Sequence, residues 1–515
     1  MSVFAAIDCG TNSFRLVTGR KDPDTGYRFL SELKEPVRIG ADLFTGEVIT
    51  EKAIERGIAA LNLFQKEIQR EPVSRVRCVG TSAFREAKNS AEVIERFRKE
   101  TGLQLEIIRG TEEARIISLG ILKTLRKDGS RFLLVDIGGG STELTIVENG
   151  EGHYIESAQV GAVRLTNLFL KNDPPSEKEQ KLLANFIDDK LRRPLRRILE
   201  SGFDEVVGSA GTMTTLAKMS REGAKLDRSN LYTVKTVFVR QQLERILEMK
   251  TSERAKLPGM SKQRAEIAIA GFSIASYILS GLGVKQFKVS GRGLVDGLMI
   301  DMIEDAENHP LYSQYLTRQH RADFNDLAAR YRLDKIHAER VQGFALDLFD
   351  QMKDLHHLGE RERNWLSAAA FFHDIGMLIA MNSHHKHSEY IIRNMDISGY
   401  SQTDLDMVAR IARFHRKAEP TPKRPEVAVL SSADQQKLMW LAAILRTADG
   451  LDRSHASHVK SVRAIITKDL ITIELATPFD VDLDIWAAEN KGEMLGKLAD
   501  RKVKYRVMDS GPGGE

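Results

Sequence analysis

Two short loops, Asp8-Cys9-Gly10-Thr11-Asn12-Ser13 and Asp136-Ile137-Gly138-Gly139-Gly140-Ser141-Thr142-Glu143, carry the same chemistry in the same order. Each follows an apolar run, Val3-Phe4-Ala5-Ala6-Ile7 or Phe132-Leu133-Leu134-Val135, and each leads into a second apolar stretch at Phe14 or Leu144. Glycines let backbone N–H groups close on phosphate oxygens, and the Ser, Thr and Asn side chains add donors. An acidic residue at a strand end can orient a metal or its water. The cradle is therefore expected from Gly10, Thr11, Asn12 and Ser13 on one side and from Gly138, Gly139, Gly140, Ser141 and Thr142 on the other. Two such units in one chain predict related half-sites closing on one phosphorylated ligand.

To hold these loops the chain needs strand-turn-strand units backed by helices. Residues 1–125 read as that alternation, with helical periodicity over Ala53–Arg70 and Ala91–Thr101 and short strands at Val76–Val79 and Leu105–Ile108. A further helix is expected behind Thr111 as its N-cap, with Glu112 and Glu113 in the first turn. Residues 126–311 restart the α/β pattern and add two strand-to-glycine turns, one carrying Gly211 and one carrying Arg292. Residues 312–458 change to long amphipathic helical stretches, and 459–515 alternate apolar residues as a small β-containing cap would. At 515 residues several cores are required. The 76 basic and 72 acidic residues nearly cancel, which argues against a nucleic-acid binder. Nothing at the N-terminus resembles a signal peptide, no apolar run is long enough for a bilayer, and two cysteines fit a reducing cytoplasm. Cys9 reads as a small residue beside a strand rather than a reactive thiol.

Six motifs in order carry a family resemblance: D-C-G-T-N-S-F-R, T-S-A-F-R-E-A at Thr81–Ala87, G-T-E-E-A-R at Gly110–Arg115, D-I-G-G-G-S-T-E, G-S-A-G-T, and S-G-R-G-L-V-D-G at Ser290–Gly297. Over essentially its whole length the chain resembles the exopolyphosphatase/guanosine pentaphosphate phosphatase (Ppx/GppA) family. The resemblance implies two actin-like (ribonuclease H-like) α/β domains, at 1–125 and 126–311, acting on a phosphoanhydride. It makes Glu113 the catalytic carboxylate, with Glu112 the lesser candidate, and Arg85 a clamp for a terminal phosphate. Asp136 and Glu143 become the residues that place Mg²⁺ through waters. Inorganic polyphosphate or guanosine pentaphosphate is the implied substrate, and a homodimer the implied assembly. Where the family usually carries R-E this chain has Val295-Asp296, which leaves the role of Arg292 open.

The helical region adds His337, His373-Asp374 and Asp449. These resemble the pattern of HD phosphohydrolases, in which a His, a His-Asp pair and a distant Asp surround a divalent transition metal. An all-α HD-type domain at 312–458 is expected, and two readings stay open for it: a metal site, or a vestige whose polar groups bond one another. An alternative function follows, with the HD region hydrolysing nucleotides and the front half sensing them. His384, His385 and His387 read as a solvated helix start, the other reading being contact with phosphate or a second metal. His415, Arg416 and Lys417, with Arg413 and Lys423, read as a basic track for long polyphosphate.

Overall fold

Val3–Ile7 lacks polar alternation because its strand is buried on both faces. In β1 (Val3–Cys9), Ala5 and Ile7 enter one core while Phe4 and Ala6 enter another. The computed structural model describes residues 2–22, 26–122, 124–125, 129–149, 151–306, 324–395, 397 and 400–508. The chain divides into two compact units, Met1–His320 and Arg321–Glu515.

In the first unit β1 is joined by β2 (Phe14–Asp22), β3 (Gly26–Glu35), β4 (Val73–Gly80) and β5 (Leu105–Ile107), in the order β3-β2-β1-β4-β5. The first three form an antiparallel meander, and β4 and β5 run parallel to β1. A second sheet contains β6 (Arg131–Ile137), β7 (Thr142–Glu148), β8 (Glu151–Ala158), β9 (Glu205–Ser209), β10 (Leu231–Lys235) and β11 (Gln286–Ser290), in the order β10-β11-β9-β6-β7-β8. Apart from the edge strand β10 it repeats the first sheet, with a meander β6-β7-β8 followed by parallel β9 and β11. The duplicated loop is thus the hairpin turn of a duplicated sheet.

Helices Gly110–Leu122 and Leu294–Ala306 lie in a core shared by the two sheets, where Ile116, Ile117 and Met299 meet Phe4 and Val17 of the first and Phe132 and Leu134 of the second. Thr111 falls inside the first turn of its helix instead of capping it, and its hydroxyl finds no hydrogen-bond partner among the described residues. Outer helices cover the remaining faces: Phe64 and Phe97 pack with Phe14, and Leu191 and Ile274 with Val135. Cys9 and Cys78 are free, buried thiols whose Sγ atoms lie 3.7 Å apart, and burial pushes the Cys9 thiol up, away from nucleophilic use.

In the second unit, helices Lys335–Gln351, Glu360–Phe372, His384–Arg393, Gln402–Arg413 and Ser432–Gly450 share one core containing Val341, Leu366, Ile411 and Leu441. Strands β12 (Ser461–Ile466), β13 (Leu470–Ala476) and β14 (Lys502–Val507) follow in that order across a sheet. Strand alternation did not reveal the helix Asp482–Ala499, which crosses from β13 to β14 and lets them pair in parallel. Ile473, Leu475 and Leu495 belong to the same core as the helices. Among the described residues no helix is long and apolar enough to cross a membrane.

Candidate functional site

Each hairpin turn is held by a neighbouring segment through its carbonyls. Thr11 O and Asn12 O accept from the N–H groups of Gly40 (3.0 Å) and Arg38 (2.9 Å). In the second copy Gly138 O and Gly139 O accept from Ala162 (3.0 Å) and Val163 (2.8 Å), and Arg164 Nε donates to Gly140 O at 2.7 Å. A trans peptide sets its N–H opposite its C=O. The amides of Asn12 and Ser13, and those of Gly139, Gly140 and Ser141, therefore point away from these anchors, into the cleft that the same residues line. The loops also face each other closely: a Cβ on Gly140 would lie 2.2 Å from Ser82 Oγ and 3.1 Å from Thr11 Oγ1. Only glycine permits that approach.

The resulting cavity, about 170 Å³, brings together Gly10, Thr11, Asn12, Ser13, Gly138, Gly139, Gly140, Ser141, Gly211, Glu113, Asp136 and Arg292. Glu113, in the first turn of its helix, accepts from Arg85 Nη1 at 2.8 Å, and that guanidinium also donates to Ile108 O at 2.9 Å. Arg85 Nη2 comes within 3.5 Å of Ser141 Oγ, which ties the pair to the second loop. Thr142 stands apart: it begins β7, is fully buried, and gives its hydroxyl proton to Val160 O. Glu143 sits directly across the hairpin from Asp136, with Oε1 accepting from Ser157 at 2.8 Å.

The carboxylates are crowded. Burial, with Glu113 nearby, pushes Asp8 up to about 7, and burial does the same for Asp136 although Ser209 Oγ donates to it at 2.5 Å. Burial, Glu113 and Asp136 push Glu143 well above the usual carboxylate range. Among the described residues, Asp8 Oδ1 and Glu143 Oε2 are buried and find no hydrogen-bond partner. A set of hard oxygen donors with surplus negative charge and unused lone pairs fits a Mg²⁺ ion. Asp8 belongs to this set as the counterpart of Asp136 in the first copy, and the loop repeat was the signal for it.

Several cations in the cleft carried no sequence signal. Lys34 pairs across the β2–β3 hairpin with Arg15, and both line the cavity. Arg264 lies against Gly211 so closely that a Cβ there would sit 1.6 Å from its guanidinium. Burial and the neighbouring Arg264 and Arg15 bring Lys34 down to about 8.

In the second unit His337, His373, Asp374 and Asp449 do converge, all buried. Two expectations are corrected. His384 and His385 are buried rather than solvated, and His415 is an interior residue rather than part of a surface track. His415 packs against the end of its own helix through Nδ1···Ala412 O (2.7 Å), which turns its ring inward toward His384 and Asp374. Arg413 is committed to Glu389 and Glu426, and Arg416 rests on His384, leaving Lys417 exposed. Burial acts to raise Asp449, but Lys491 and His373 more than offset it and hold the carboxyl well below its usual range. Lys491, on the helix hidden from strand alternation, had no motif to announce it.

Residues 19–306 match the Ppx/GppA phosphatase family, and residues 320–491 match Ppx/GppA phosphatase, domain III. The chain belongs to the Ppx/GppA phosphatase family. Within that family it is 29% identical over 450 residues, 86% of this chain and 87% of the other, to the guanosine-5'-triphosphate,3'-diphosphate pyrophosphatase of Aeromonas hydrophila. An exopolyphosphatase structure from Cytophaga hutchinsonii superposes with a TM-score of 0.56 at 27% identity, covering 59% of this chain and 98% of that one. The Aquifex aeolicus Ppx/GppA family member gives 0.51 at 29% identity, covering 60% and 99%. These Ppx/GppA neighbours support the actin-like α/β fold expected of the N-terminal part.

Proposed function

We propose that this phosphoanhydride hydrolase of the Ppx/GppA family releases terminal orthophosphate from inorganic polyphosphate, and also converts guanosine pentaphosphate to the tetraphosphate, in the cleft of the first unit. The carrying observation is that Glu113, hydrogen-bonded by Arg85, lines one cavity together with both glycine loops. Those amides bind the oxygens of the terminal phosphate, with Ser13 and Ser141 adding hydroxyl donors. Glu113 Oε takes the proton of the attacking water, and Arg85 fixes the rotamer of Glu113 while its remaining N–H groups face developing charge. Asp8, Asp136 and Glu143 are the residues that would hold a Mg²⁺ ion, which would supply positive charge against the phosphate oxygens. Lys34, Arg15 and Arg264 supply positive charge for further phosphates of either substrate. A cytoplasmic homodimer rests on the family resemblance.

The test is phosphate release from both substrates. Glu113→Gln should lower kcat on each with KM little changed. The convergent histidines favour a second reading for the second unit, an HD-type domain holding a divalent transition metal at His337, His373, Asp374 and Asp449. If His373→Ala/Asp374→Ala, and not Glu113→Gln, removes polyphosphatase activity, the catalytic site belongs in the second unit.

A further inference from the structure

The β2–β3 hairpin of the first sheet carries a bulge that gathers several side chains onto one face. Thr18 pairs with Ser31 but Gly19 with Phe29, so Leu30 is the extra residue. That residue shifts the alternation, and Phe29 and Glu32, three apart, come to the same side. Arg15 shares the side, because it lies across from Lys34 and diagonal to Glu32. Glu32 Oε1 accepts from Arg15 Nε at 2.7 Å, while its Oε2 accepts from Arg228 Nη1 at 3.2 Å. The Arg228 guanidinium also covers the Phe29 ring, 4.3 Å from its centre. Arg228 belongs with the second sheet, on the segment between the helix Ala210–Met219 and β10.

Arg228 then continues to a second carboxylate. Its Nη2 donates at 2.5 Å to Oδ2 of Asp296, a fully buried residue in the first turn of Leu294–Ala306. Tyr27 of β3 donates its hydroxyl to Asp296 Oδ1 at 2.5 Å, and the Gly293 N–H donates to Oδ2 at 2.9 Å. The turn at 290–293 is thus held at one end by Asp296, and at the other by the Arg292 N–H on Ser290 Oγ (3.1 Å). Arg228 packs against the same turn, since a Cβ on Gly291 would lie 3.1 Å from its Cα. A carboxylate without exposure needs its charge balanced, and the Arg228 guanidinium does so. The outcome is an unbroken belt, Arg15–Glu32–Arg228–Asp296–Gly293. It joins Arg15 and Arg292, which come from different sheets and both line the phosphate cavity.

We infer that Glu32, Arg228 and Asp296 are positioning residues that set Arg15 and Arg292 as a two-sided clamp on the phosphates behind the terminal one. This deepens the function proposed above and rests on it. A free arginine side chain loses much rotamer freedom when it grips a ligand, and the belt orders both guanidinium groups beforehand. The glycine loops are anchored by other residues, Arg38, Gly40, Ala162, Val163 and Arg164, so the terminal phosphate is held without the belt. The belt governs how tightly a phosphate chain is gripped, and the loops with Glu113 govern how fast its last bond breaks.

The test is steady-state phosphate release from polyphosphate by the full chain, with orthophosphate as product inhibitor. Glu32→Gln weakens the belt and leaves Asp296 paired with Arg228. It should raise KM about 10-fold, the scale of one weakened charge-assisted hydrogen bond, with kcat within about 2-fold and the orthophosphate inhibition constant unmoved. Arg228→Ala/Asp296→Asn, which removes both buried charges together, should show the same split, and Arg228→Lys should keep part of the affinity. An unchanged KM in Glu32→Gln overturns the clamp. A fall in kcat and in orthophosphate affinity alongside the rise in KM also overturns it, because the belt then only supports the fold. Should the paired variant misfold, Glu32→Gln still decides. Calorimetric binding of polyphosphate to Glu113→Gln chains, with and without Glu32→Gln, reads the clamp without turnover. Weaker binding there, when the unaltered chain releases no phosphate, keeps the clamp and overturns the proposed function. No binding of polyphosphate overturns both.

Discussion

Removing the divalent cation from the first unit should make its stability fall as pH rises, through Asp8 and Asp136. Both carboxyls are pushed from 3.8 to about 7 in the folded chain, by burial first. At about 1.36 kcal/mol per pH unit, one such carboxyl corresponds to about 4 kcal/mol. The two do not simply add, since each is close to Glu113 and Asp136 itself helps to raise Asp8. Because the folded chain binds these protons more tightly than the unfolded chain, the stabilisation is complete below about pH 4 and is lost as pH climbs through about 7. Mg²⁺ reverses the sign of the problem by stabilising the ionised carboxylates, and at about 100 times its dissociation constant restores about 2.7 kcal/mol. The assay is hydrogen exchange read by mass spectrometry on peptides of β1 and β6, between about pH 5 and about pH 8, with and without Mg²⁺, corrected for intrinsic exchange. Asp8→Asn/Asp136→Asn should flatten the pH slope and weaken the Mg²⁺ response, leaving the share that belongs to Glu143. If the double variant keeps the slope of the unaltered chain, or if Mg²⁺ protects neither strand, the assignment of these carboxylates to a cation site is wrong.

Arg85→Ala removes the donor that holds Glu113 and should lower kcat by about 10²–10³-fold, the scale for losing one preorganised donor, measured by steady-state phosphate release. Gly140→Ala places a Cβ 2.2 Å from Ser82 Oγ, between the facing loops. It should cost about 1–3 kcal/mol by thermal melting, and activity should fall further than stability because the loops are forced apart. In the second unit Asp452→Asn loosens the acceptor that fixes the His337 ring, and should weaken Mn²⁺ binding about 10–100-fold in a chelator competition.

Much of the cleft was legible in the sequence because its donors are backbone amides on short glycine turns, and such turns are local. Gly10–Ser13 and Gly138–Ser141 each close a hairpin whose two strands are adjacent in the chain, so composition alone betrays them. Glu113 and Arg85 were reachable only through motif order, since a lone carboxylate in a first helical turn also suits the helix dipole. Lys34, Arg15 and Arg264 were not legible, because they reach the cleft from a hairpin edge and a distant helix through strand register and helix packing. The second unit shows the same division more sharply. His373-Asp374 stands out as a dipeptide, whereas His384 and His415, 31 residues apart, carry no local signal that they meet.

By itself the sequence determined the duplicated phosphate loops, the α/β alternation around them and the family to which they belong. These depend on contacts between near neighbours and on runs of apolar residues that must be buried. The tertiary structure alone decided which carboxylates are crowded together in one buried cleft. It also decided which cations line that cleft, and that four imidazoles and two aspartates converge in one buried cluster. Convergence of side chains from separate helices depends on packing angles, and no residue-to-residue spacing along the chain encodes those.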